Sequence, residues 1–297
     1  MYRPPEPIEL GPDSLLWRWA GDRRMAFVGL AGGILQLMHP GLGAGVIDHS
    51  DFFADPMGRI ERSLPEILGV VYDGPEAEAT GRRIRSYHRR IKGVDHLGRR
   101  YSALRPETFW WAHATFQHMV EQVADRFDCH RLDDDERRRL YREGVEWYRR
   151  YGVSTKPVPE DRAAFGVVWD RYCDEVLEMT PAAERAIDMA LHEKVVLPRT
   201  PPWTAPIQRE LVTLLLRLTA IGGLPARVRR RFDIPWSAAE AVQLAGLEAW
   251  VRVSWRFLPA SARWAPRAAE GWRREAGNGR ATSRRATNRR VATRRAA

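Results

Sequence analysis

The sequence predicts an all-α fold, and three observations carry that prediction. Asn-Gly or Asp-Gly turns between alternating runs are absent, and β-branched clusters are few. Apolar residues recur at three- and four-residue spacing in one segment after another. Capping residues and prolines punctuate those segments where helices start and stop. The expected architecture is a single large helical domain of roughly ten helices over residues 1–262. A disordered basic Arg/Ala-rich tail over 263–297 is expected to follow it.

Each element has its own reason. Gly11-Pro12-Asp13-Ser14 offers side-chain oxygens to the free N–H groups of a helix opening at Leu15-Leu16-Trp17. Arg24 to Met38 reads as a mostly apolar, buried helix, closed by His39-Pro40 because proline excludes the α conformation from the residue before it. Gly41 to Val46 is a small-residue segment through which another backbone or a flat ligand could approach closely. Asp55-Pro56 starts the next helix, and Pro75 to Ile91 forms an Arg-rich one stopped by Gly93. Arg105-Pro106-Glu107 opens another, with proline in its first turn. Asp133 to Tyr151 and Asp161 to Met179 follow, Thr200 to Pro206 is a loop with three prolines, and Arg209 to Ala220 and Ser237 to Phe257 complete the body.

The charge is unevenly distributed. The chain of 297 residues carries a net +10, but Arg263 to Ala297 holds 11 Arg against 2 Glu, or +9, leaving +1 for the rest. A nucleic-acid-binding body is therefore not implied. Arginine pairs recur at 284/285, 289/290 and 294/295, a five-residue period that suits neither helix nor strand. So little apolar surface cannot offset ordering entropy, and weak contact with nucleic acid or an anionic membrane is the interaction expected of 263–297. No obligate protein partner is expected. The two cysteines, Cys129 and Cys173, cannot build a disulfide framework and suit a reducing compartment. The apolar stretch Met25 to Leu37 falls short of the about 20 residues that a membrane span needs. The expected location is cytoplasmic, with peripheral membrane contact left open.

Among eight histidines, two stand out. His88 shares a helix face with Arg85 three residues earlier. His113, in Trp110-Trp111-Ala112-His113-Ala114-Thr115, has Phe109 and Trp110 on its own face. An imidazole beside aromatic surface is desolvated and neutral, with a lone pair free for a metal, and aromatic walls around one histidine also suit haem. The same pattern equally describes a hydrogen-bonded core histidine among packed tryptophans. A non-haem metal site from His49, Asp51, His88 and His113 is a further possibility by residue type alone. P-loop, zinc-protease, serine-hydrolase and dinucleotide-binding motifs are absent.

Several strings, in order, resemble the MpaB-type oxygenase family, which includes the latex-clearing rubber oxygenases. They are Gln36-Leu-Met-His-Pro40, Ala44-Gly-Val-Ile-Asp-His-Ser-Asp-Phe52, Asp55-Pro-Met-Gly-Arg-Ile-Glu-Arg62, Arg85-x-x-His88-x-x-Ile-x-Gly93 and Trp111-Ala-His-Ala-Thr115. The resemblance spans roughly residues 10 to 266. It implies haem b as iron cofactor, O2 as co-substrate and a hydrophobic, unsaturated, isoprenoid-like small molecule as substrate, with oxidative C=C cleavage as one outcome. It also implies that His113 is the axial metal ligand, that His88 and Arg85 act in catalysis near the haem, and that Trp111, Thr115, His39, His49 and Arg62 belong to the cofactor pocket. The competing reading is a non-enzymatic helical binding protein tethered to nucleic acid or membrane by its basic tail.

Overall fold

In the computed structural model, residues 5–194 and 204–278 are described. Fourteen α-helices account for most of them, and the strand content among the described residues is a single small hairpin.

Two helices sit at the centre. α2 (Ala26–Leu37) buries Val28, Ala31, Ile34, Leu35 and Leu37, and α6 (Pro106–Gln122) is buried along most of its length. Packed side by side, they are tied by two long-range hydrogen bonds. Trp111 Nε1 donates to the Leu35 carbonyl at 3.0 Å, and Gln36 Nε2 donates to Thr115 Oγ1 at 2.7 Å. α9 (Pro181–His192) and α10 (Ala205–Gly222) cover α2 from other sides, and α12 (Ala238–Ser254) packs on α10 and on the π turn that ends α6.

α7 (Asp134–Arg149) lies against α6, α1 (Leu15–Trp19) and α8 (Arg162–Arg171). It begins with a capping box in which Asp133 and Glu136 satisfy each other's backbone N–H groups. Its buried Glu143 reaches across to α1, where it accepts from the Leu16 N–H at 2.7 Å. α4 (Pro56–Tyr72) and α5 (Ala77–Tyr87) form a pair, with Asp55 capping α4 through the Gly58 N–H at 2.9 Å.

Three features refine the expected bundle. First, the small-residue segment Gly41 to Val46 is part of α3 (Pro40–His49), which His39 caps by accepting from the Gly41 N–H. Another backbone does approach it closely. A Cβ on Gly43 would meet the Leu37 carbonyl at 2.5 Å and Thr180 Oγ1 at 2.6 Å, so glycine lets α3 nestle between the end of α2 and the cap of α9. Second, β1 (Lys92–Val94) pairs antiparallel with β2 (Arg100–Ser102). The connecting loop is organised by Asp95, which accepts from the N–H groups of Leu97 and Arg99, with Gly98 at φ 79°. A longer Asp-x-x-Gly loop does the work that an Asn-Gly pair does in a two-residue turn.

Third, ordered structure does not stop at 262. After α13 (Ala260–Arg263), the Ala265 N–H donates to the Gly21 carbonyl, and α14 (266–278) buries Ala268 and sets Trp272 edge-on to Trp17. Arg267 pairs with Asp73 at 2.7 Å. Trp264, Ala268 and Trp272 at four-residue spacing supply the apolar stripe that arginine count alone obscures. The predicted disorder of the remaining tail, 279–297, falls outside the described residues, as does most of the loop predicted at Thr200 to Pro206.

Candidate functional site

α6 presents two chemically different faces. Trp111 and Thr115, four residues apart, turn to α2. Phe109, His113 and Gln117, also at four-residue steps, turn to α7. His113 is buried, and its Nε2 lies 2.8 Å from the Gly144 carbonyl of α7. A carbonyl only accepts, so Nε2 carries the proton and Nδ1 is left with a free lone pair. Nδ1 is buried and has no partner among the described residues. Desolvation pushes the imidazole pKa down to about 4, only partly opposed by the Gly144 hydrogen bond, so the ring is neutral at pH 7.

Aromatic rings close around it. Trp147 stands edge-on at 4.9 Å, with Tyr148 at 5.1 Å and Tyr151 at 6.0 Å. Gly144 is glycine because a Cβ there would meet Gln117 Oε1 at 1.3 Å; the absent side chain lets α7 bring its carbonyl to the imidazole.

His88 approaches the same cluster from the far side of Phe109, whose ring lies 5.7 Å from it and 5.3 Å from Tyr151. Its Nδ1 donates to the Ile84 carbonyl at 2.8 Å. Its pKa is lowered, chiefly by burial, with the Arg59 charge adding to the effect. Arg85 donates to the Gly152 carbonyl at 2.6 Å, next to Tyr151. The structure thus brings Arg85, His88 and His113 around one core of Phe109, Tyr148 and Tyr151.

The other predicted residues lie elsewhere. Trp111 stacks on Tyr172 at 4.5 Å and serves the α2–α6 contact, and Thr115 binds Gln36 there. His39 is a helix cap against Tyr172, with its pKa lowered to about 4 by burial. His49 is exposed, 3.4 Å from the Lys92 carbonyl. Arg62 is exposed and paired with Asp51 at 2.8 Å and Asp55 at 3.2 Å. No group of three or more His, Cys, Asp or Glu side chains able to hold a metal occurs among the described residues, which removes the His49/Asp51/His88/His113 metal site.

Sequence reasoning missed Tyr148, Tyr151 and Gly144. Their signal is the spacing 141, 144, 148, 151, a three–four–three stripe of tyrosines and one glycine along α7 and the turn after it.

Haem fits this site in its donor chemistry and not in its space. A neutral imidazole with an unpartnered, buried Nδ1 suits an axial ligand. The cavity beside it measures only about 10 Å³, between Trp110, Tyr141, Tyr148 and Phe165. Cofactor pockets run to several hundred Å³. As packed here, the chamber does not admit a macrocycle.

An all-α bundle with a neutral histidine enclosed by aromatic rings at its centre defines the class of protein. The family described as the ER-bound oxygenase mpaB/B'/rubber oxygenase catalytic domain matches residues 17–253. The chain belongs to that family, and as an oxygenase-type domain it uses O2. No curated protein and no solved structure matches it.

Proposed function

We propose that the chain is an oxidoreductase that adds oxygen from O2 to a hydrophobic, unsaturated small molecule, with isoprenoid-like alkenes as the substrate class and C=C cleavage as the outcome. The observation that carries this reading is the Nδ1 of His113, without a protein partner among the described residues, in an enclosed aromatic chamber. A protein that needed this histidine only for packing gains nothing from leaving a buried acceptor unsatisfied, which costs about 1–3 kcal/mol.

Haem b is the cofactor that the family resemblance implies, and His113 Nδ1 is the atom that would hold it. Bound there, it would supply O2 activation, a chemistry that side chains alone lack. The chamber as packed has no room for the group, so binding there would need the rings around the imidazole to move apart. The roles of the chain's own residues follow from their positions. The Gly144 carbonyl fixes the tautomer and orientation of His113. Phe109, Tyr148 and Trp147 exclude water. His88, half-buried with its Nδ1 proton held on Ile84, presents Nε2 as a proton acceptor.

The test is O2 uptake with a squalene-like polyene, on protein supplied with haem, for the wild type and the His113→Ala and His88→Ala variants. Substrate-dependent uptake lost in His113→Ala supports the proposal. Uptake that survives His113→Ala, or none in the haem-loaded wild type over a range of apolar alkenes, refutes it.

A further inference from the structure

A second, larger cavity of about 300 Å³ opens where the turn after α1, the end of the α6 π turn and the last turn of α12 meet. Its two carboxylates are already neutralised. Arg24 binds both Asp22, at 2.8 Å, and Asp128, at 2.9 Å, and lies over the Trp255 ring. What remains is cationic. Arg252, Arg256 and Arg263 line the cavity, and none forms an ion pair among the described residues. Arg252 uses one amino group on the Arg126 carbonyl at 2.6 Å. Three guanidiniums with no ion-pair partner among the described residues, on the wall of one cavity, suit an anionic, oxygen-rich group such as a phosphate.

An exposed apolar stripe also runs along α12 and into the turn that follows it. Trp250 and Phe257 are 67% and 73% exposed, and Val242, Val253 and Leu258 are exposed with them. Positions 242, 246, 250, 253 and 257 share one helical face. Neither glutamate of α12 opposes an anion there, because Arg217 binds Glu240 and Arg126 binds Glu248. The sequence that follows, 279–297, adds seven arginines and no carboxylate. Among the described residues no single helix is long and apolar enough to cross a membrane.

The geometry points to a peripheral docking face for anionic phospholipid bilayers. A headgroup phosphate enters the Arg252/Arg256/Arg263 cavity, while Trp250, Phe257 and Leu258 sink into the acyl boundary. Apolar insertion and basic attraction are the two contributions that hold interfacial helices on anionic membranes. This places the contact on the folded α12 end rather than in the tail alone. A second copy of the chain covering the stripe is the outcome that the lipid-free oligomeric state distinguishes.

Flotation of the full chain with vesicles of pure phosphatidylcholine, or of phosphatidylcholine enriched in phosphatidylglycerol, tests this. Binding to the anionic vesicles alone is expected. Trp250→Ser/Phe257→Ser and Arg252→Gln/Arg256→Gln/Arg263→Gln should each weaken it about tenfold or more. Circular dichroism of the variants checks their folding, and a chain ending at 278 should still bind. The proposal is overturned if both face variants bind like the wild type, or if ending the chain at 278 abolishes binding. It is also overturned if the Trp250/Phe257 change converts a lipid-free dimer to monomer, or if inorganic phosphate saturates the cavity while vesicles do not compete.

Discussion

The chamber at His113 and the basin under α12 are opposites. The first is enclosed by rings and about 10 Å³ in volume; the second holds about 300 Å³ and is walled by arginines and tryptophans. In the chamber, burial sets protonation, and a histidine is held neutral far below its ordinary range. In the basin, arginines line the wall and Arg24 pairs with both aspartates. The helical bundle thus keeps its buried, unpartnered imidazole apart from its larger accessible cavity. A ligand that reaches His113 must repack the core, whereas one that reaches Arg252 need not.

Four perturbations sharpen or break that contrast. The largest effect is expected from Trp111→Ala, which empties the α2–α6 contact and should cost about 3–5 kcal/mol in urea unfolding. A loss below about 1 kcal/mol, the scale of a surface change, would mean that this centre is not tightly packed. Acid comes next. The folded pKa of His113 and of His39, about 4 each, lies below the ordinary histidine value of 6.5. As pH falls the unfolded chain takes up these protons first. Their contribution is therefore complete above pH 6.5 and is lost progressively down to pH 4, by up to about 3 kcal/mol per imidazole. Chemical denaturation at a series of pH values reads that slope, and His113→Gln should flatten it; an unchanged slope would place the charge change elsewhere.

Gly144→Ala is third. The new methyl group meets Gln117, so about 1–3 kcal/mol of stability is lost, and the His113 hydrogen bond moves with the displaced carbonyl. Nitrogen-15 shifts of the imidazole should register that displacement, and unaltered shifts would show that α7 does not orient the ring. The smallest effect belongs to Arg62→Ala. Its two ion pairs are exposed and screened by solvent, so their loss should leave the unfolding midpoint and haem uptake unaltered. Loss of haem uptake in this variant would instead put Arg62 in the cofactor pocket.

The sequence made the local part of this structure readable. Asp133 with Glu136, Pro106 after Arg105, and Asp55 before Pro56 each mark a helix start through chemistry confined to one turn. His113 was recognisable as a buried imidazole because its aromatic neighbours lie three and four residues away. What surrounds it was not. Gly144 and Tyr148 come from α7 and Tyr151 from the turn after it, more than 30 residues on, and only packing shows which α7 face meets α6. Trp111 and Thr115 misled for a related reason. They share a motif with His113 yet lie on the other face of the helix, where they hold α2. The small residues of α3 signalled a close approach, but only packing shows that Leu37 and Thr180 are what Gly43 approaches.

The most direct test of the central claim is a haem titration of the purified chain, followed by its absorption spectrum, for the wild type and His113→Ala. The account predicts a Soret band that saturates at one haem per wild-type chain and is lost in the variant. A wild-type protein that takes up no haem, or a variant whose band matches the wild type, would contradict it.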